Sequence, residues 1–135
     1  ASEIDMVINL GDAKQGDFHS ITEEIKALKA VCGDKILKVI IEACFLTNEE
    51  KIELCHCVTN GGADFIKTST GFGSGGATLE DVQLFKKYIG PSVQIKAAGG
   101  IRSVEAMKAY IEAGCTRIGA SAAVGLLKNR LNETV

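Results

Sequence analysis

Apolar positions along this chain alternate between two patterns, a short strand-like run and a longer helical stripe, and the pair recurs five times. Residues 4–9 (Ile4-Asp5-Met6-Val7-Ile8-Asn9) read as a strand. Residues 20–32 carry Ile21, Ile25, Leu28 and Cys32 at helical spacing, with Ser20 and Glu23 as a predicted capping box. Residues 36–42 are almost continuously apolar, broken by Lys38, as expected of a strand covered on both faces. A Thr47/Glu50 box opens the next helix, whose inner stripe is predicted at Ile52, Cys55 and Thr59. A strand ending at Lys67 follows, then a helix started by Thr78 and Asp81 that runs through Val82, Phe85 and Ile89. After a strand containing Lys96, Ser103 caps a helix bearing Val104, Met107 and Ile111. A last strand over 116–120 runs into Ser121, and a short helix is predicted over 123–131.

Five β/α units in succession imply an α/β fold, a single domain over residues 1–135, with parallel strands and helices packed outside. Lys38, Lys67 and Lys96 recur at intervals of 29 residues, which predicts equal heights on three successive strands. Glycines punctuate the units at Gly33, Gly61-Gly62, Gly71 to Gly76, Gly90, Gly99-Gly100 and Gly114. Repetition of this kind is typical of a β/α barrel, in which polar groups at the C-terminal strand ends converge on one site. A closed eight-unit barrel takes about 250 residues, and about 200 at minimum. Five units therefore predict an open sheet or part of a barrel.

Composition narrows the function classes. The chain has 135 residues, 46% of them hydrophobic, enough for one domain with a real core. A formal charge of −2 provides no basic field for nucleic acid. No run approaches the roughly 18 apolar residues of a membrane span, and the expectation is a cytoplasmic protein without a leader peptide. Five cysteines among apolar neighbours (Cys32, Cys44, Cys55, Cys57, Cys115) read as reduced core thiols. Cys55-His56-Cys57 does not present its side chains to one point on a helix, and no second ligand pair stands at zinc spacing, so no metal is expected.

The candidate chemistry lies in two lysines. Lys67 closes Ala63-Asp64-Phe65-Ile66-Lys67-Thr68-Ser69-Thr70-Gly71, and Lys96 stands in Val93-Gln94-Ile95-Lys96-Ala97-Ala98-Gly99-Gly100. A lysine inside an apolar run is costly to bury unless paired or neutral. Two at matching points of consecutive strands suggest an amine made nucleophilic by a neighbouring cation, the device used for carbonyl chemistry. Lysines that merely snorkel from strand ends are the alternative reading.

The chain also resembles the deoxyribose-phosphate aldolases, class I (Schiff-base) aldolases built on the TIM (β/α)8 barrel. The resemblance rests on Glu3-Ile4-Asp5-Met6-Val7-Ile8-Asn9, Lys38-Val39-Ile40-Ile41-Glu42 and Ala63 to Phe72, all in family order. It continues through Gly75-Gly76-Ala77-Thr78, Lys96-Ala97-Ala98-Gly99-Gly100-Ile101-Arg102 and Arg117-Ile118-Gly119-Ala120-Ser121. It implies a partial barrel, with the first three β/α units absent from the sequence in hand. It further implies Lys67 as the Schiff-base lysine, Lys96 as the second lysine whose charge disfavours protonation of Lys67, and Asp5 as the carboxylate of a proton relay. Lys38 would extend that polar cluster. Thr70, Gly71, Gly99, Gly100, Arg102, Gly119 and Ser121 would hold the phosphorylated end of the substrate.

The implied reaction is reversible cleavage of 2-deoxy-D-ribose 5-phosphate to D-glyceraldehyde 3-phosphate and acetaldehyde, with no cofactor. Phe72 departs from the lysine that some members carry. Open sheet edges predict self-association into a homo-oligomer. The rival readings are a non-catalytic barrel fragment that self-associates or needs a complementing chain, and a Schiff-base aldolase for another sugar phosphate.

Overall fold

The computed structural model describes residues 2–120. Five parallel strands form one sheet in the order β1-β2-β3-β4-β5: Glu3–Val7, Ile36–Ile40, Phe65–Lys67, Gln94–Ala98 and Arg117–Gly119. Helices α1 (Leu10–Lys14), α2 (Phe18–Cys32), α3 (Asn48–Gly61), α4 (Leu79–Tyr88) and α5 (Val104–Ala113) follow the strands. Each strand is joined to its sheet neighbour through helical chain, so the predicted α/β architecture of parallel strands with helices between them holds. The predicted helix over 123–131 and Ser121 lie outside the described residues. Among the described residues, no helix is long and apolar enough to cross a membrane.

Strand alternation sorts the side chains into two populations. Met6, Ile8, Leu37, Val39, Ile41, Ile66, Ile95 and Ala97 join the core, together with Ile21, Ile25, Leu54, Val58, Val82, Phe85 and Met107 from the helices. Their alternates, Glu3, Asp5, Lys38, Lys67 and Arg117, face one another across the opposite side through ion pairs. That face is concave: Arg117 on one edge strand reaches Glu3 on the other, and its guanidinium stacks 4.8 Å from the Phe65 ring centre. An arc this curved is part of a barrel wall, with helices outside and a charged interior.

Caps explain where the helices start. The predicted Thr47/Glu50 box is present, with both reciprocal bonds made, and Thr78 and Ser103 cap α4 and α5 through Asp81 N–H and Ala106 N–H. The Ser20/Glu23 box is not formed. Asp17 caps α2 instead, accepting from the Ser20 N–H at 3.2 Å and the Ser20 hydroxyl at 2.7 Å, so the helix begins at Phe18. A carboxylate accepting two bonds outcompetes a neutral hydroxyl for that end. The short helix α1, capped by Asn9, escapes sequence reading because it contains Gly11 and spans little more than one turn. On α3 the core face is Leu54, Cys55, Cys57, Val58 and Gly61, with Ile52 and Thr59 only half-buried.

Equal spacing of the lysines does not mean equal height. Lys67 is level with Lys96, but Lys38 stands opposite Phe65 and level with Asp5, two residues lower. Strands of a curving parallel sheet are staggered, and here the stagger between β2 and β3 departs from the sequence spacing by two residues, one whole pleat. The lysines consequently still share a face.

Close helix packing depends on Gly61, where a Cβ would stand 2.4 Å from Ile25 Cγ2 on the neighbouring helix. Ile25 is completely buried and has nowhere to move. Gly61→Ala is expected to destabilise the fold by about 1–3 kcal/mol through overpacking, read as a lower urea midpoint at unchanged slope.

Candidate active site

Among the described residues, the concave face carries four cations, Lys38, Lys67, Lys96 and Arg117, against two carboxylates, Glu3 and Asp5. Asp5 is the junction: one oxygen lies 3.1 Å from Lys67 Nζ and the other 3.3 Å from Lys38 Nζ. Lys38, whose side chain is only 8% exposed, also reaches Glu3 at 3.4 Å, and Glu3 accepts from Arg117. These contacts chain Arg117, Glu3, Lys38, Asp5 and Lys67 together from the floor of the arc to its mouth.

Titration directions follow from that crowding. Burial pushes the Asp5 carboxyl up, but the Lys67 hydrogen bond and the charges of Lys67 and Lys38 outweigh it and hold the group below the ordinary carboxylate value. The Arg117 hydrogen bond, with Lys38 helping, lowers Glu3. Lys96 makes no ion pair or hydrogen bond through its side chain among the described residues. Its burial first, then the nearby charges of Lys67 and Lys38, push its pKa down, with Asp5 opposing and Arg117 adding to the fall.

Above this floor opens a cleft of about 390 Å³. Lys67, Thr70, Gly71, Gly99, Gly100, Arg102 and Gly119, all singled out from the sequence, line it. Asp5, Lys38 and Lys96 do not: they form the charged layer beside and beneath it. Ser121 lies outside the described residues. The walls depend on backbone approach, since a Cβ on Gly76 would sit 2.3 Å from the Gly99 carbonyl oxygen. Gly99 and Gly100 both have positive φ, a conformation that suits glycine.

Three supporting residues escaped the sequence reading. Thr68, completely buried, donates its hydroxyl to the Ala98 carbonyl and accepts from the Ala98 N–H, both at 3.1 Å, stitching the ends of β3 and β4 together. Glu42, 5% exposed, accepts from the Thr70 N–H at 3.1 Å and the Thr70 hydroxyl at 2.6 Å. Glu3, quoted only as part of a motif, anchors Lys38 and Arg117. A buried acid directly after an apolar strand was the available signal for Glu42. Phe72, beside the cleft, is 96% exposed.

Away from this site, burial raises the Cys55 thiol to about 12 and the Cys115 thiol to about 11, as for inert core cysteines. No group of three or more possible metal ligands occurs among the described residues.

Comparison with known proteins places these residues in context. The DeoC/LacD family aldolase profile matches residues 1–130. A deoxyribose-phosphate aldolase of Clostridium botulinum (strain Eklund 17B / Type B) is 65% identical over 128 residues, 95% of this chain and 58% of the relative. The solved aldolase QR15 superposes with a TM-score of 0.92 at 38% identity, covering 99% of this chain and 61% of that one. The tetrameric deoxyribose phosphate aldolase of Aeropyrum pernix does so with a TM-score of 0.86 at 28% identity, over 100% and 57% of the two chains. The chain spans about three-fifths of the length of these relatives.

The Lys96 direction has a consequence for stability. Because its folded pKa is lowered, the unfolded chain binds that proton more tightly, and stability rises with pH between the folded and unfolded values. Charged Lys96 therefore destabilises the fold below its folded pKa. Lys96→Met is expected to raise the urea midpoint at pH 7, with the gain vanishing as pH passes the unfolded lysine value of about 10.4.

Proposed function

Since the chain belongs to the DeoC/LacD aldolase family, we propose that its concave face carries out reversible cleavage of 2-deoxy-D-ribose 5-phosphate through a Schiff base on Lys67. One observation carries this reading: two lysines level on adjacent strands, with a carboxylate 3.1 Å from one of them, at the foot of a glycine-walled cleft. In the cleavage direction, the Lys67 amine adds to the C1 aldehyde of the open-chain sugar and water leaves, giving a protonated imine. Loss of the C3 hydroxyl proton then breaks the C2–C3 bond. D-Glyceraldehyde 3-phosphate departs, and the bonding electrons enter the imine to form an enamine. Protonation at C2 and hydrolysis release acetaldehyde and restore the amine. The iminium is the electron sink, so the chemistry calls for no cofactor.

Asp5 and Lys96 bear on Lys67 in different ways. Asp5, held below the ordinary carboxylate value by its lysine partners, is the carboxylate 3.1 Å from Lys67 Nζ to which we assign the proton relay. Lys96 stands level with Lys67 on the adjacent strand, where its ammonium charge disfavours protonation of Lys67 and leaves a usable fraction of free amine. Four cations against two carboxylates also make the face attractive to a phosphorylated sugar. Gly71, Gly99, Gly100 and Gly119 allow backbone to approach the phosphate, and Arg102 neutralises part of its charge.

The two outer strands, β1 and β5, lack further neighbours among the described residues. Unpaired parallel edges favour association, and we assign the active form to a homo-oligomer or to a pairing with the remaining barrel units. A chain without turnover that only binds such a partner is the second reading, favoured by those open edges.

Acetaldehyde followed by borohydride separates the two. The expected product is a reduced adduct mapped to Lys67, abolished by Lys67→Leu and weakened at least about tenfold by Lys96→Leu, within the range of general acid–base effects. A folded chain without selective labelling would favour the binding-only reading. Cleavage of a longer keto-sugar phosphate in preference to deoxyribose 5-phosphate would point to a different Schiff-base aldolase.

A further inference from the structure

Glu42 is the one non-glycine residue with positive φ among the described residues, at φ 51° and ψ 63°. A side chain seldom occupies that region unless its surroundings hold it there. It is nearly buried, and both its carboxylate oxygens accept from one residue of the cleft, Thr70: Oε1 from the N–H and Oε2 from the hydroxyl. The loop also packs closely on it, since a Cβ on Gly73 would lie 3.1 Å from Glu42 Oε1.

Counting hydrogens at Thr70 gives the consequence. The hydroxyl has one hydrogen and two lone pairs. Its hydrogen is donated to Glu42 at 2.6 Å, and one lone pair accepts from the Phe72 N–H at 3.0 Å. What remains for a ligand is one lone pair. A phosphate oxygen, itself an acceptor, finds no hydrogen there, whereas a ligand hydroxyl can donate its own hydrogen to the free lone pair. We infer that Glu42 is a positioning residue that turns Thr70 into an acceptor, so that this side of the cleft reads a hydroxyl of the ligand and leaves its phosphate to the glycine-walled side.

The inference rests on the sugar-phosphate reading above and deepens it. A glutamine amide in place of the carboxylate can still accept from the Thr70 N–H, which preserves the loop. Its NH₂ would then donate to the Thr70 oxygen, fill the free lone pair and release the hydroxyl hydrogen. The polarity of the subsite would be reversed without emptying it.

Two unreactive phosphates test this: sn-glycerol 3-phosphate, which carries hydroxyls, and n-propyl phosphate, which carries none. Binding to the 15N-labelled chain is followed at the Gly71, Gly99 and Gly100 amides. The wild type is expected to prefer glycerol phosphate about fivefold, the net worth of one hydrogen bond, and Glu42→Gln to shrink that preference to below about twofold. Its affinity for propyl phosphate should stay as in the wild type. Should Glu42→Gln not fold, Thr70→Val is expected to lose the preference and Thr70→Ser to keep it. An undiminished preference in Glu42→Gln, or parallel weakening of both ligands, would overturn the inference. Equal binding of both by the wild type would overturn it too, while the phosphate site stands. Binding of neither would remove the functional reading and this inference with it.

Discussion

Asp5 is shared between two ammonium groups on different strands, Lys38 at 3.3 Å and Lys67 at 3.1 Å, and the concave face is organised around that sharing. Removing the carboxylate would leave Lys38, Lys67 and Lys96 facing one another with only Glu3 opposing them from below. A charged interior of this kind is costly, and it persists because the opposite face of the same strands is apolar and packed against helices, with only the edge residues Ile4 and Ile118 half-buried. Apolar packing lies on the outside of the arc and the charged groups on the inside. The alternation of side chains along each strand keeps the two apart.

This division explains why the charged cluster was legible in sequence. Asp5, Lys67 and Lys96 interrupt apolar runs at positions whose alternates are core residues, so strand periodicity alone sends them to one common face. The glycines after Lys67 and Lys96 announce the cleft in the same way, because backbone contact such as Gly76 against Gly99 admits no side chain. The family motifs then assign roles that periodicity could not.

Features set by three-dimensional register were not legible. Three lysines at equal spacing suggested one level, yet the stagger between β2 and β3 drops Lys38 to the level of Asp5, where it becomes part of the floor. Glu42 read as the end of a strand, but its left-handed backbone turns it back onto Thr70, a contact made across 28 residues. At the start of α2, local competition between Asp17 and Ser20 decided the cap, and sequence spacing alone favoured the wrong partner. Each miss concerns which of several plausible partners a polar group meets, and that depends on tertiary placement.

Lys96 ties the structure to the proposed chemistry most directly, because burial and like charge act on it without an ion pair among the described residues. Its side-chain nitrogen can be followed by heteronuclear NMR across a pH titration, in the wild type and in Lys67→Met. The account predicts a transition below the ordinary lysine value of about 10.4, moving upward once the Lys67 charge is gone. A transition at the ordinary value in both proteins would contradict it, since the concave face would then hold four cations without strain on any of them.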